Sequence, residues 1–170
     1  MHSPNGSPVN SRRGWWALLI VITLWLLWMT LRPDRTPNSI NLIPFAENGR
    51  ALVCLLNNAC MAQRRSFWFL LINVLGNTLV FVPFGLALAG ILHQGLATQM
   101  IRRAALGGFL LSLTIELTQL AIPSRATDVD DLIFNTLGAT IGALLFVKFF
   151  LPKQFKRASN WVAKETPPSP

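Results

Sequence analysis

The sequence is 170 residues long, 52% apolar and only 13% charged, with a mean hydropathy of +0.44. That is too oily for an ordinary soluble domain and suits one compact membrane domain. The formal net charge of +8 would point a soluble protein towards nucleic acid. Here the basic residues border apolar runs, at Arg12-Arg13, Arg64-Arg65, Arg102-Arg103 and Lys153, Lys156 and Arg157. Headgroup contact and topology account for such charges, and no nucleic-acid partner is expected.

In chain order, residues 1–13 form a Ser-, Pro-, Gly- and Asn-rich start read as a disordered cytoplasmic N-terminus. Arg12-Arg13 before the apolar run 14–31 imitate a secretory signal. The run is long, however, and Trp28-Met29-Thr30-Leu31 offers no small-x-small cleavage site, so a retained anchor helix is expected. Trp15, Trp16 and Trp28 near its ends read as interface anchors, as do Phe67 and Trp68 at the start of the second run.

The connection 32–66 follows, and its stretch 51–61 is expected to form a short helix lying in the interface or dipping into the membrane. Cys54 and Cys60 both fall there. Two cysteines six apart in a helix point in different directions, so no disulfide is expected even in an oxidising compartment. No His/Cys spacing suggests zinc.

Three more apolar runs complete the set, at 67–92, 104–122 and 132–151, before a basic, partly disordered tail at 152–170. Each run is near the roughly 20 residues that cross a hydrocarbon core of about 30 Å. Continuous apolar runs without period-two alternation exclude a barrel. The expected fold is an all-α integral membrane protein, a four-helix transmembrane bundle over residues 14–151. An even number of spans puts both termini on one side. That side carries nine Lys/Arg against six on the other, which places the termini in the cytoplasm of a multi-pass inner-membrane protein.

Polar residues inside these runs need a reason, because a charged group at the centre of a span costs about 2.5 to 3.5 kcal/mol on insertion scales. Glu116 is the one acid within a span. Ser112, Glu116 and Gln119 follow i, i+4, i+7 and share a helix face. The second run presents Asn73 and Asn77 at comparable depth, and Asp128, Asp131 and Asn135 at the start of the fourth aim at the same space. Amides and hydroxyls also glue membrane helices together, the reading favoured for Asn73 and Ser112. A carboxylate is costly glue, so Glu116 reads as functional. Asp128 and Asp130 are candidate N-caps of the fourth helix. Gly138 and Gly142 form a GxxxG packing device, within the bundle or between copies of the chain. Pro83 should kink the second helix.

These motifs in order resemble the VanZ-like membrane proteins: Asn41-Leu42-Ile43-Pro44-Phe45, Gly76-Asn77 with Phe81-Val82-Pro83-Phe84-Gly85, Ser112 with Ile115-Glu116 and Gln119, then Arg125, Asp128, Asp131, Asn135 and Gly138. The resemblance runs from about Asn41 to Leu145. It implies a small bacterial helical membrane protein of a group named for a protein that raises resistance to the glycopeptide teicoplanin, but no known reaction or cofactor. The pattern positions it marks for binding are Asn41, Pro44, Phe45, Asn77, Glu116, Gln119, Arg125, Asp128, Asp131 and Asn135.

Three functions follow as expectations. The first is a cell-envelope protein whose polar pocket at one membrane face binds or modifies a lipid or amphiphile. The second is a membrane-embedded enzyme on a lipid-linked substrate, with Glu116 as general acid or base and Asp128 and Asp131 as weak candidates for a divalent cation; it lacks an activated nucleophile. The third is an ion-coupled transporter. No cofactor is expected, and the partners are membrane lipids, with self-association through Gly138 and Gly142 as an option.

Overall fold

The computed structural model describes residues 12–32, 40–57, 60–93, 96–122 and 125–151. The expectations for both tails lie outside these residues. Six α-helices and two very short strands follow in the order α1 (Arg12–Leu31), β1 (Ile40–Asn41), α2 (Ala46–Leu56), α3 (Gln63–Leu70), α4 (Asn77–Ile91), α5 (Ala97–Leu120), β2 (Thr127–Asp128) and α6 (Val129–Phe149). A π-helical segment, Leu71–Gly76, joins α3 to α4 without a break.

Among the described residues, three helical stretches are long and apolar enough to cross a membrane: Arg12–Leu31, the combined Gln63–Ile91 and Val129–Phe149. The remaining long helix, α5, has 24 residues and a length of about 36 Å, but Ser112, Glu116 and Gln119 interrupt its apolar character. Three of the four expected runs thus have the length and apolar character of a crossing helix, and α5 is the exception.

The helices pack around α4 and α6, with α5 against both and α1 against α4. Close approach between α4 and α6 depends on glycine. A Cβ at Gly138 would strike the Thr78 carbonyl, one at Gly142 the Val82 carbonyl and one at Gly85 the Ala139 carbonyl. The GxxxG motif is thus taken up inside the chain, so self-association would have to use another surface. The core centres on Leu26, Phe81, Ala87, Met100, Ala104, Ile115, Ala139 and Ala143.

Two local expectations change, those for Trp15 and for the cysteines. Trp15 is no interface anchor: it is 3% exposed, lies over Gly90 and meets the ring edges of Phe146 at 5.4 Å and Phe150 at 5.7 Å. Trp16, Trp28, Phe67 and Trp68 are exposed, as anchors would be. Helix α4 continues across Pro83, and the departure from α-geometry falls upstream, in the π segment. Cys54 and Cys60 form a disulfide, with Cα atoms 5.4 Å apart. The assumption of one continuous helix was the error. α2 ends at Leu56, and turn bonds from the Asn57 amide to Cys54 and from the Cys60 amide to Asn57 bring the second cysteine back beside the first.

Candidate functional site

The two connections expected on one side of the bundle do meet there. Strand β1, from the first, pairs in parallel with β2, from the second, in the register Ile40 with Thr127 and Asn41 with Asp128. Around this pairing the acids at the head of α6 divide their work. Asp128 is extended and is the N-cap of α6, its carboxylate accepting from the Asp130 amide at 2.9 Å. The same carboxylate accepts from the Asn41 side chain at 3.0 Å, and the Asp128 amide donates to Glu116 Oε2 at 3.1 Å.

Because Asp128 supplies the cap, the Asp130 carboxylate is free to turn inward. It is 0% exposed and accepts from the Phe45 amide at 2.7 Å and from Asn48 Nδ2 at 2.6 Å. From Asn48 a relay of amides continues: Asn73 donates to Asn48 Oδ1 at 3.3 Å, and Asn77 donates both to Asn73 Oδ1 at 3.3 Å and to Asp131. Asp131 is the neighbour of Asp130, so the relay closes on itself and ties α2, the π segment, α4 and α6 together. Hydrogen bonds to a charged group contribute about 1.5 to 3 kcal/mol each, and a connected polar network in a dry environment is costly to leave half-made.

The polar face of α5 is real, but its three members reach three different partners. Ser112 accepts from Asn135 Nδ2 at 2.9 Å, Glu116 accepts from Asp128, and Gln119 Nε2 donates to the Thr30 carbonyl of α1 at 2.9 Å. Asp131 and Asn135 accordingly diverge, one to α4 and the other to α5, instead of lining one space. Asp128 and Asp131 are not joined by a third ligand, since no group of three or more His, Cys, Asp or Glu among the described residues is placed to hold a metal ion.

Phe45 has φ 59° and ψ 13°, the one positive φ outside glycine among the described residues. Such a conformation in a bulky residue is a strained outlier, which points from geometry towards function. The Asp130 carboxylate grips its amide, and its ring meets Phe134 edge-on at 6.3 Å. Beside it Leu42, Ile43 and Pro44 are exposed, so the loop presents an apolar tip on a polar footing.

Arg125 makes no ion pair. The one ion pair among the described residues joins Arg50 and Glu47. Arg125 acts on Glu116 and Asp131 through space, while its Nε is buried without a hydrogen-bond partner. Gln119 Oε1, Thr127 Oγ1 and Asn135 Oδ1 are buried and unpartnered as well. Three of these four atoms belong to residues between 119 and 127, on and beside the α5–β2 connection and next to Glu116. Buried polar atoms in folded proteins nearly always have a partner, either protein or ordered water.

The sequence-based reading placed Asn41, Asn77, Glu116, Gln119, Arg125, Asp128, Asp131 and Asn135 at one end of the molecule, and they gather there. It missed Asn48 and the inward role of Asp130. An amide in the first turn of a short helix carries no local signal of a partner 82 residues away. Asp130 could have been found by noting that a cap at Asp128 leaves the second of three acids without a local task.

The sequence model of the VanZ/LLP1 family matches residues 15–151. The protein named Protein VanZ from Enterococcus faecium is 27% identical over 140 residues, covering 79% of this chain and 72% of the relative. No solved structure matches the chain. A match running from the first helix to the end of the last, with the motif positions of both connections gathered in one hydrogen-bonded cluster, leads to one conclusion: the chain belongs to the VanZ/LLP1 family.

Proposed function

We propose that this chain is a four-span protein of the bacterial inner membrane that acts at the cell envelope by binding the polar head of a lipid or other amphiphile beneath the β1–β2 pairing. The observation that carries this reading is the set of buried, unpartnered atoms Arg125 Nε, Gln119 Oε1 and Thr127 Oγ1 around Glu116. Arg125 receives an anionic group, Gln119 and Thr127 orient it, and Glu116 stays fixed by the Asp128 amide. The exposed tip at Leu42, Ile43 and Phe45 meets the acyl region.

Helix α5 serves as the fourth span. Its Ser112, Glu116 and Gln119 are buried against the bundle and the exposed Thr114 and Thr118 hydroxyls donate to the helix's own carbonyls, while Leu106, Phe109, Leu110, Leu117 and Leu120 present an apolar outer surface suited to lipid. The termini lie in the cytoplasm on the balance of flanking Lys and Arg. Because the relative is Protein VanZ, the phenotype to test is glycopeptide susceptibility. Teicoplanin tolerance is measured in a susceptible host making wild type, Glu116→Gln or Arg125→Ala at matched membrane levels. Wild type should raise tolerance and both variants should lose the gain. Tolerance equal in wild type and empty-vector cells removes the resistance reading, and tolerance retained in both variants removes the site.

A further inference from the structure

A second feature of the same membrane face, separate from the polar cluster, is a cavity of about 690 Å³ between α2 and α3, lined by Glu47, Arg50, Ala51, Arg65, Ser66 and Phe69. Both of its ends are fastened. At one end the Asp130 carboxylate holds the head of α2 through the Phe45 amide and Asn48. At the other, the Cys54–Cys60 disulfide bridges the turn, and Gln63 Nε2 donates to the carbonyls of Leu55 at 3.3 Å and Asn57 at 3.0 Å. The groove is therefore held open by covalent and hydrogen-bonded ties and does not depend on a guest for its shape.

Its charge is not balanced. Arg50 is positioned by its own Nε bond to the Ala46 carbonyl at 3.1 Å, and its contact with Glu47, at 3.9 Å, is a loose and exposed one. The Arg65 side chain has no hydrogen bond or ion pair among the described residues. Two guanidinium groups against one carboxylate, with the Ser66 hydroxyl in the wall, favour a planar-fork contact with phosphate. Ala51 and Phe69 add apolar surface to the lining, and Phe69 is exposed, as is Trp68 next to it in α3.

We propose that the α2–α3 groove binds the phosphate of an anionic membrane amphiphile, with Arg50 and Arg65 on the phosphate and Ala51 and Phe69 of the lining against its chains. The inference rests on the membrane reading above. Arg65 lies in the first turn of the apolar stretch Gln63–Ile91, at the depth where that reading puts lipid headgroups, and anionic headgroups attract such juxtamembrane arginines.

The test uses the full chain in detergent micelles and native mass spectrometry, with phosphatidylglycerol and phosphatidylcholine of matched chains as probes and inorganic phosphate as competitor. Phosphatidylglycerol should be retained over phosphatidylcholine. The paired change Arg50→Ala and Arg65→Ala should cut retention about thirty-fold, since each arginine near an anionic surface contributes on the order of 1 kcal/mol. Glu47→Gln should raise retention, and the paired lysine variant, which keeps the charges but loses the forks, should retain less than wild type and more than the alanine form, so the outcome does not hang on the folding of the alanine form. Equal retention of the two lipids, or unchanged retention in the alanine form, overturns the proposal. Complete displacement by inorganic phosphate overturns its amphiphile part. The share of phosphatidylglycerol lost in Arg125→Ala belongs to the site beneath β1 and β2, and the share lost in the paired Arg50 and Arg65 change belongs to the groove, so failure of one is distinguishable from failure of the other.

Discussion

Between α4 and α6 contact is made by taking side chains away, so that Gly138, Gly142 and Gly85 let backbone carbonyls come close. At the end where β1, β2 and α2 meet, contact is made by adding polar groups, and Asp128, Asp130 and Asp131 each collect amide donors from distant parts of the chain. Lipid offers no hydrophobic drive between helices, so dispersion packing and interhelical hydrogen bonds are the two means left. The chain separates them by position. The seam supplies a rigid body, and the polar end fixes a loop that would otherwise be a long, irregular connection.

Substitution can break each half separately. The largest effect is expected in the seam: Gly138→Leu meets backbone that cannot yield, and should cost more than about 3 kcal/mol, seen as loss of a cooperative melt in detergent. Next comes Asp130→Ala, which leaves the Phe45 amide and the Asn48 side chain without their acceptor and should cost about 2 to 3 kcal/mol. That loss should appear as a lower melting temperature together with faster proteolysis in the 40–57 segment, while Gly138→Leu loosens the whole chain. Asn135→Ala removes one interhelical bond to Ser112 and should cost about 1 kcal/mol. The smallest effect is at Phe45. Glycine there relieves a left-handed conformation worth about 1 to 2 kcal/mol but forfeits the Phe134 edge contact, so stability should stay within about 0.5 kcal/mol of wild type. Teicoplanin tolerance lost in Phe45→Gly at unchanged melting temperature would mark the residue as functional.

The seam was legible in the sequence because a glycine pair at i, i+4 in an apolar helix has one common use. The helices were legible because apolar runs of the right length have few alternatives. At the polar end the sequence conveyed which residues gather, through spacing and chain direction, but not who bonds to whom. Three acids within four positions look alike, and whether Asp128 or Asp130 caps α6 depends on the β1–β2 pairing, a contact 87 residues apart. Nor does the sequence show that the Asp128 amide takes Glu116 Oε2. The cysteine pairing failed for a related reason: it turned on where a short helix stops, and Leu56 to Asn57 carries no glycine or proline to announce the end.

The central claim is that Asp130 clasps the first connection onto α6 and so roofs the site of Arg125 and Glu116. Hydrogen exchange at the Phe45 amide in detergent micelles tests it most directly, because that single proton is donated to the Asp130 carboxylate. The account predicts slow exchange in wild type, comparable with α6 amides, and exchange at loop rates in Asp130→Ala. Rapid exchange in the wild-type chain, or protection unchanged by Asp130→Ala, would contradict it.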